Sequence, residues 1–470
     1  MRICLIAEGS YPYVTGGVSS WIQGLMTSMK EHEFIIYAIG AETKQKGKYK
    51  YQFPSNLIEI KEIFLDEYQF EEKKWGQRYN FTAQQKESFK ALLSNMNVNW
   101  EELFDLIRSN KFSNISDFLS SKDYFDLVES LGRQQYSQVP FTELFWTISS
   151  MLLPLLSIIR HDPPEADVYH AVSTGYAGVI GTLAKYLYNK PLMLTEHGIY
   201  SREREEEIIK ADWVKGYFKD IWINYFYTLS NSIYMAADQV ITLFNRNKEI
   251  EVELGCPEDK IQIIPNGVNV DDYQNLVTIP KDDIIRIGAI VRIVPIKDIK
   301  TMIQSFALVE KEISNIELYI MGPVEENPTY YDECIQIVEA LGVEHVIFTG
   351  LVNIKDYLGK MDFLLLTSIS EGQPLAILEG LACRKPFICT NVGGCKELLM
   401  GVEHDLFGQA GFIVPVMHYE EIARYIIELC KNHKMREQFG ENGYKRVKNN
   451  YTRRAFISSY RELYQSLGGE

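Results

Sequence analysis

Short apolar runs recur along this chain, each bounded by turn residues and followed by a helical pattern, and this rhythm narrows the fold more than any other feature. The first half opens with RICLIA (2–7), a Gly-rich turn, Val14-Thr15-Gly16-Gly17-Val18, and an apolar-periodic helix through Trp21, Ile22, Leu25 and Met26. FIIYAIG (34–40) completes a βαβ start. The rhythm resumes at DVYHAV (167–172), PLMLTEHG (191–198) and QVITLF (239–244). A second series runs through RIGAIV (286–291), ELYIMG (317–322), VIFTG (346–350), FLLLTS (363–368), PFICTNVGG (386–394) and GFIVPV (411–416). Strands this short and apolar are marks of parallel strands covered on both faces. The expected fold is α/β: two doubly wound parallel-sheet (Rossmann-like) domains facing each other, over 1–275 and 276–448. A chain of 470 residues is too long for one core, which agrees. Residues 45–165, rich in Lys, Glu, Ser, Asn and Tyr, break the rhythm and read as a largely helical insertion.

Charge narrows the ligand. The formal net charge of −15 argues against nucleic acid as a partner and against a basic membrane-surface role, so an anionic ligand needs local cations. Seven cysteines without CxxC or Cys/His metal spacing predict reduced thiols in a cytoplasm. The opening MRICLIAEGSYPY reads as a strand rather than a signal peptide. LFWTISSMLLPLLSII (144–159) is uncharged but short for a membrane span and interrupted by Thr, Ser and Pro. It reads as a buried helix kinked near Pro154, with a docking face for a membrane partner as the other reading.

The chemistry concentrates in the second series. Glu371 and Glu379 are separated by seven residues, between a buried strand (363–370) and a helix (375–383). Glu371 is then expected on a loop at a strand's carboxyl end, where ligands bind in open α/β sheets, with Glu379 about one helical turn further in. The free amides at the helix N-terminus suit a phosphate. Arg292 and Lys297 follow the strand RIGAIV, and such cations can neutralise a diphosphate. In the first half, the paired glycines Gly16-Gly17 allow close backbone approach to a ligand, and a plain tight turn is the other reading. His197 and His170 both end predicted strands; each is a candidate ligand contact or a hydrogen-bonded structural His. The chain has no Asp-x-Asp, the simplest carboxylate clamp for a divalent ion, so a metal-free site is expected.

In this order, the Gly16-Gly17 turn, the strand ending at His197, Pro265-Asn266-Gly267-Val268, Arg292 with Lys297, the Glu371/Glu379 pair and NVGGCKELL (391–399) resemble the retaining glycosyltransferases of family 4, which have the GT-B fold. The resemblance spans the chain except for 45–165. EGSYPYVTGGVSSW (8–21) and TEHGIYSRERE (195–205) are similar to a cytosolic branch of that family devoted to exopolysaccharide synthesis. The resemblance implies a UDP-sugar donor, UDP-glucose first with UDP-GlcNAc or UDP-GalNAc as alternatives, a saccharide acceptor, no cofactor and no metal. It implies that Arg292 and Lys297 hold the diphosphate, that Glu371 contacts the donor sugar, and that amides from Gly372, Gln373, Pro374 and Leu375 hold sugar and phosphate. Glu379 would bind the ribose, Gly17 would lie near the phosphates, and His197 would face the sugar near the reaction centre. Gly372-Gln373-Pro374 departs from the aromatic residue and glycine that many relatives carry there. A C-terminal helix, 449–470, would pack back on the first domain. The acceptor hydroxyl would attack the face from which the diphosphate leaves, domain closure excluding water. The expected location is cytoplasmic, peripheral at the membrane's inner face, with membrane-embedded polysaccharide export proteins as partners. A nucleotide-sugar 2-epimerase and a non-catalytic UDP-sugar-binding protein remain as other readings of the same fold.

Overall fold

The computed structural model describes residues 1–67, 75–94, 96–278 and 282–469, which form two compact units. The first comprises Met1–Thr242, Lys248–Ile263 and the C-terminal residues from Tyr460 onward; the second comprises Leu243–Asn247 and Ile264–Ser459. The architecture is α/β in both.

The first unit is built on seven parallel strands: β1 (Arg2–Glu8), β2 (Glu33–Gly40), β3 (Leu57–Phe64), β4 (Val168–Ala171), β5 (Leu192–Glu196), β6 (Gln239–Thr242) and β7 (Ile261–Ile263). Their order is β3-β2-β1-β4-β5-β6-β7. The second unit has six: β8 (Ile285–Ile290), β9 (Ile316–Met321), β10 (Val346–Gly350), β11 (Phe363–Leu366), β12 (Phe387–Thr390) and β13 (Gly411–Val414), ordered β10-β9-β8-β11-β12-β13. In each sheet the winding reverses beside its first strand, at β1/β4 and at β8/β11. Such a reversal opens a crevice outside the carboxyl ends of the strands. Each unit has its own apolar core, because the central strands are buried on both faces and read as continuous apolar runs.

One element differs from the sequence-based expectation, and another is decided between its two readings. The segment 45–165 is not purely helical, since LIEIKEIF forms β3 and extends the sheet by an edge strand. This strand carries three charged residues, Glu59, Lys61 and Glu62, as an edge strand permits, and this hid it within the charged segment. The next four helices begin at side-chain caps, with Thr82, Asn99, Asn114 and Ser121 each accepting a backbone N–H. The stretch 144–159 lies in the helix Phe141–Ile159, which runs through Pro154 with Leu144, Ile148, Leu152, Leu155 and Ile159 buried in the core. It is long and apolar enough to cross a membrane, but over half of it is buried inside the unit. Trp146 is its one large exposed apolar side chain among the described residues, so the stretch is core and offers little docking face.

The helix Arg453–Gly468 places Tyr460 and Tyr464, both fully buried, in the first unit. His170 on β4 bonds Tyr464 Oη through Nδ1 at 2.6 Å and Thr195 Oγ1 through Nε2 at 2.8 Å, and Thr195 meets Tyr460 Oη at 3.0 Å. Both ring nitrogens are thereby used and burial pushes the imidazole pKa down to about 3. His170 is a structural residue.

Candidate functional site

At the β8/β11 reversal, the loop 291–298 and the loop 367–374 leave adjacent strands on the same sheet edge. Lys297 comes from the first and Glu371 from the second. Lys297 Nζ lies 2.5 Å from Glu371 Oε1, and Ser368 Oγ donates to the same oxygen at 2.6 Å. The two side chains are only 16% and 10% exposed. Neither bond uses Oε2. Thr367 Oγ1 donates to the carbonyls of Lys297 and Asp298 at 3.0 Å each, and Ile369 N to Ile296 O at 2.8 Å. Asp298 takes a left-handed backbone (φ 46°), tolerable for an Asp, and caps the helix Ile299–Glu310 through Thr301 N. The ion pair is therefore held from both loops.

Arg292 turns the other way. It is exposed and ion-paired with Glu326, on the loop after β9. The two cations thus engage carboxylates on opposite sides of β8 and share no partner among the described residues. An exposed pair is worth at most about 1 kcal/mol, so an incoming anion can displace Glu326 at little cost.

Glu379 sits one turn into the helix Leu375–Ala382. Burial raises its pKa to about 7, against a hydrogen bond from the Tyr273 hydroxyl and the charge of Lys355. Lys355 also pairs with Asp272 at 3.1 Å and lies over the Tyr273 ring. Tyr273 and Lys355 belong to other stretches of the chain, and no local motif pointed to them.

The departure Gly372-Gln373-Pro374 has a structural account. The Gln373 side chain is buried: Oε1 accepts from Asn266 N at 2.6 Å and Nε2 donates to Leu243 O at 3.3 Å. It is a fastener between segments, which removes its side chain from ligand contact. Pro374 has no N–H, so donor amides in 372–375 come from Gly372, Gln373 and Leu375. Gly393, from the NVGG motif, has φ +49°, and a Cβ there would lie 2.2 Å from the carbonyl oxygens of both Glu371 and Gly372. Gly394 N donates to Gly372 O at 2.8 Å. The NVGG turn braces the loop that carries Glu371.

In the first unit, Gly16 and Gly17 open the helix Gly17–Ser28 at the carboxyl end of β1, and a Cβ at either would meet nothing within 4 Å. No packing demands a glycine there. His197 follows β5, half-buried, with Trp21 edge-on at 4.8 Å between centroids. Burial lowers its pKa to about 4, so the imidazole is neutral near pH 7, and Nε2 has no hydrogen-bond partner among the described residues. The preceding Glu196, buried, accepts from Tyr200 N at 3.1 Å and Tyr234 Oη at 2.5 Å, which anchors the His197-Gly198 turn. Among the described residues, no group of three or more His, Cys, Asp or Glu side chains is arranged to hold a metal ion.

The family model described as Domain of unknown function (DUF3492) matches residues 1–259, and the model described as Glycosyl transferases group 1 matches 277–446. The chain is 24% identical over 341 residues to the capsular polysaccharide biosynthesis glycosyltransferase CapM of Staphylococcus aureus, covering 69% of this chain and 82% of that protein. Its fold is similar to the crystal structure of a glycosyltransferase from Rickettsia africae (TM-score 0.60, 17% identity, 99% of this chain and 98% of that one). It is also similar to Anabaena Alr3699/HepE in complex with UDP-glucose (TM-score 0.60, 16% identity, 99% and 100%).

Proposed function

The chain belongs to the family described as Domain of unknown function (DUF3492) and is a glycosyltransferase with a group 1 domain; from that premise we propose that it is retaining and metal-independent, and moves a sugar from a UDP-sugar, UDP-glucose first, to a growing polysaccharide. The observation that carries the reading is the Lys297–Glu371 pair at the strand-order reversal of the second unit, with Glu371 Oε2 left for a ligand. In this assignment Glu371 accepts hydroxyls of the donor sugar. Lys297 and Arg292, released from Glu326, meet the diphosphate, with amides of Gly372, Gln373 and Leu375. Glu379 takes the ribose hydroxyls. Gly17 is assigned to the phosphates and the neutral His197 to the sugar near the reacting carbon.

UDP as the carrier is supported by the fold likeness to Alr3699/HepE, which was crystallised with UDP-glucose, and polysaccharide synthesis by the similarity to CapM. The segments 8–21 and 195–205 resemble PelF of Pel exopolysaccharide synthesis, which motivates a cytoplasmic location and membrane-embedded export proteins as partners. The chemistry needs no protein nucleophile. The acceptor hydroxyl attacks the anomeric carbon on the face the diphosphate leaves, a phosphate oxygen takes the proton, and Lys297 and Arg292 stabilise the departing charge. The ground for metal independence is the sequence, which has no Asp-x-Asp and supplies Arg292 and Lys297 as cations for the diphosphate.

The test supplies UDP-glucose to the purified chain and follows free UDP, with and without EDTA. UDP released at the same rate in both supports the reading. Release that collapses with chelator and returns with magnesium refutes metal independence. Sugar epimerised at C2 without UDP accumulating favours the epimerase.

A further inference from the structure

The loop joining β2 to β3 reads Lys48-Tyr49-Lys50-Tyr51-Gln52-Phe53, aromatic and polar residues in alternation. Its rings close on two more from the turn after β1. Centroids lie 5.1 Å apart for Tyr11 and Tyr51, 6.4 Å for Tyr11 and Phe53, 6.3 Å for Tyr13 and Tyr49, and 4.9 Å for Tyr49 and Phe53. Tyr11 and Tyr13 are buried and form the floor; Tyr49 and Phe53 are 38% and 37% exposed above it. The loop is fastened down its length. Glu62 accepts from Tyr13 Oη at 2.7 Å, Tyr49 Oη at 3.1 Å and Gly47 N at 3.1 Å. Lys50 N donates to Pro12 O at 2.9 Å, and Gln23 Nε2 to Gln52 O at 2.8 Å. These exposed rings are held in place by hydrogen bonds, which is the preorganisation a binding surface needs.

We propose that this strip is the acceptor subsite, a platform on which a linear saccharide stacks its rings while Lys48, Lys50 and Gln52 meet its hydroxyls. The strip begins at Tyr13, just before the Gly16-Gly17 turn at the carboxyl end of β1, and runs alongside the helix Gly17–Ser28, so it is continuous with the ligand edge of that sheet. A sugar ring offers C–H bonds whose partial positive charge suits the negative face of an aromatic ring. Two exposed rings are too small an area for a stable protein partner, which needs about 1,000 Å² in total. Membrane insertion needs apolar side chains projecting outward, whereas the Tyr49 tip is tied inward to Glu62 and lysines alternate with the rings. The proposal rests on the assignment of the second unit to the sugar donor, which leaves the acceptor to be held elsewhere.

The test probes the labelled full chain against a printed array of linear oligosaccharides built from hexoses and N-acetylhexosamines, with UDP binding measured on the same samples. The wild type is expected to bind a subset. Tyr49→Ala/Phe53→Ala should bind about tenfold more weakly or worse, while Tyr49→Phe, which keeps the ring but loses the bond to Glu62, should fall between the double variant and the wild type. Unchanged UDP affinity and melting temperature certify that the variants fold. Should the double variant unfold, hydrogen exchange on the wild type decides, with protection of 47–53 by the bound oligosaccharide expected. A wild type that binds UDP but no saccharide, a double variant that binds saccharide equally, or loss confined to binding of phosphatidylglycerol vesicles overturns the strip. A wild type that binds saccharide but not UDP overturns the donor reading alone.

Discussion

Glu379 carries a measurable pH dependence. Its folded pKa is raised by burial from 4.5 to about 7, so between those values the folded chain holds a proton that the unfolded chain has lost. The contribution of Glu379 to stability is therefore fully present below the unfolded value and is lost as pH rises through the folded one. Ribose hydroxyls favour the ionised form. UDP binding at pH 7, where Glu379 is about half protonated, should release up to about half a proton, and affinity should rise with pH through that point. Calorimetry in two buffers of different ionisation heat reads the release, and Glu379→Gln should abolish it; proton uptake, or no buffer dependence, contradicts the role. Gly17 offers a second test. Nothing packs within 4 Å of a Cβ there, and the position opens a helix, where Ala is better than Gly by up to about 1 kcal/mol. Gly17→Ala should melt at or above the wild-type temperature yet lose most UDP release, and unchanged turnover would show that no ligand approaches it. At this scale the sequence was legible where chemistry is local. Glu371 and Glu379 announce themselves by spacing, but His170 and His197 look alike, each ending a strand. What separates them is Tyr464, 294 residues away from His170 along the chain.

Elements were readable where burial writes a continuous apolar run, and obscure where it does not. β8, β11 and β12 stand out for that reason, whereas β3 lies at the sheet edge and carries Glu59, Lys61 and Glu62. The helix Phe141–Ile159 was readable as a helix, but its two readings stayed open, since an apolar helix looks the same whether it is covered by the protein's own core or by a partner. The loop 367–374 took its shape from a turn far along the chain, at Gly393. Gly393→Ala must place an L residue at φ +49°, costing about 1–2 kcal/mol, and push the carbonyls of Glu371 and Gly372 aside. Its melting temperature and UDP release should both fall, and a variant with wild-type melting and turnover would remove the bracing role given to the NVGG turn.

In the whole molecule, each sheet has its own core, and the proposed roles divide between them: Arg292, Lys297, Glu371 and Glu379 lie in the second unit, Gly17 and His197 in the first. Tyr464 lies in the first, so Tyr464→Phe should lower stability by about 1–3 kcal/mol by orphaning Nδ1 of buried His170, while leaving UDP affinity unchanged. Coupled loss of both in denaturant and titration experiments would contradict that division. The central claim is the division of roles between the two carboxylates. It is tested most directly by calorimetric titration of UDP into the wild type, Glu371→Ala and Glu379→Ala, with UDP release from UDP-glucose measured beside it. Glu379→Ala should weaken UDP binding. Glu371→Ala, which frees Lys297 from its carboxylate, should bind UDP at least as tightly as the wild type and lose turnover. Equal weakening of UDP by both substitutions, or a wild type that binds no UDP, would contradict the account.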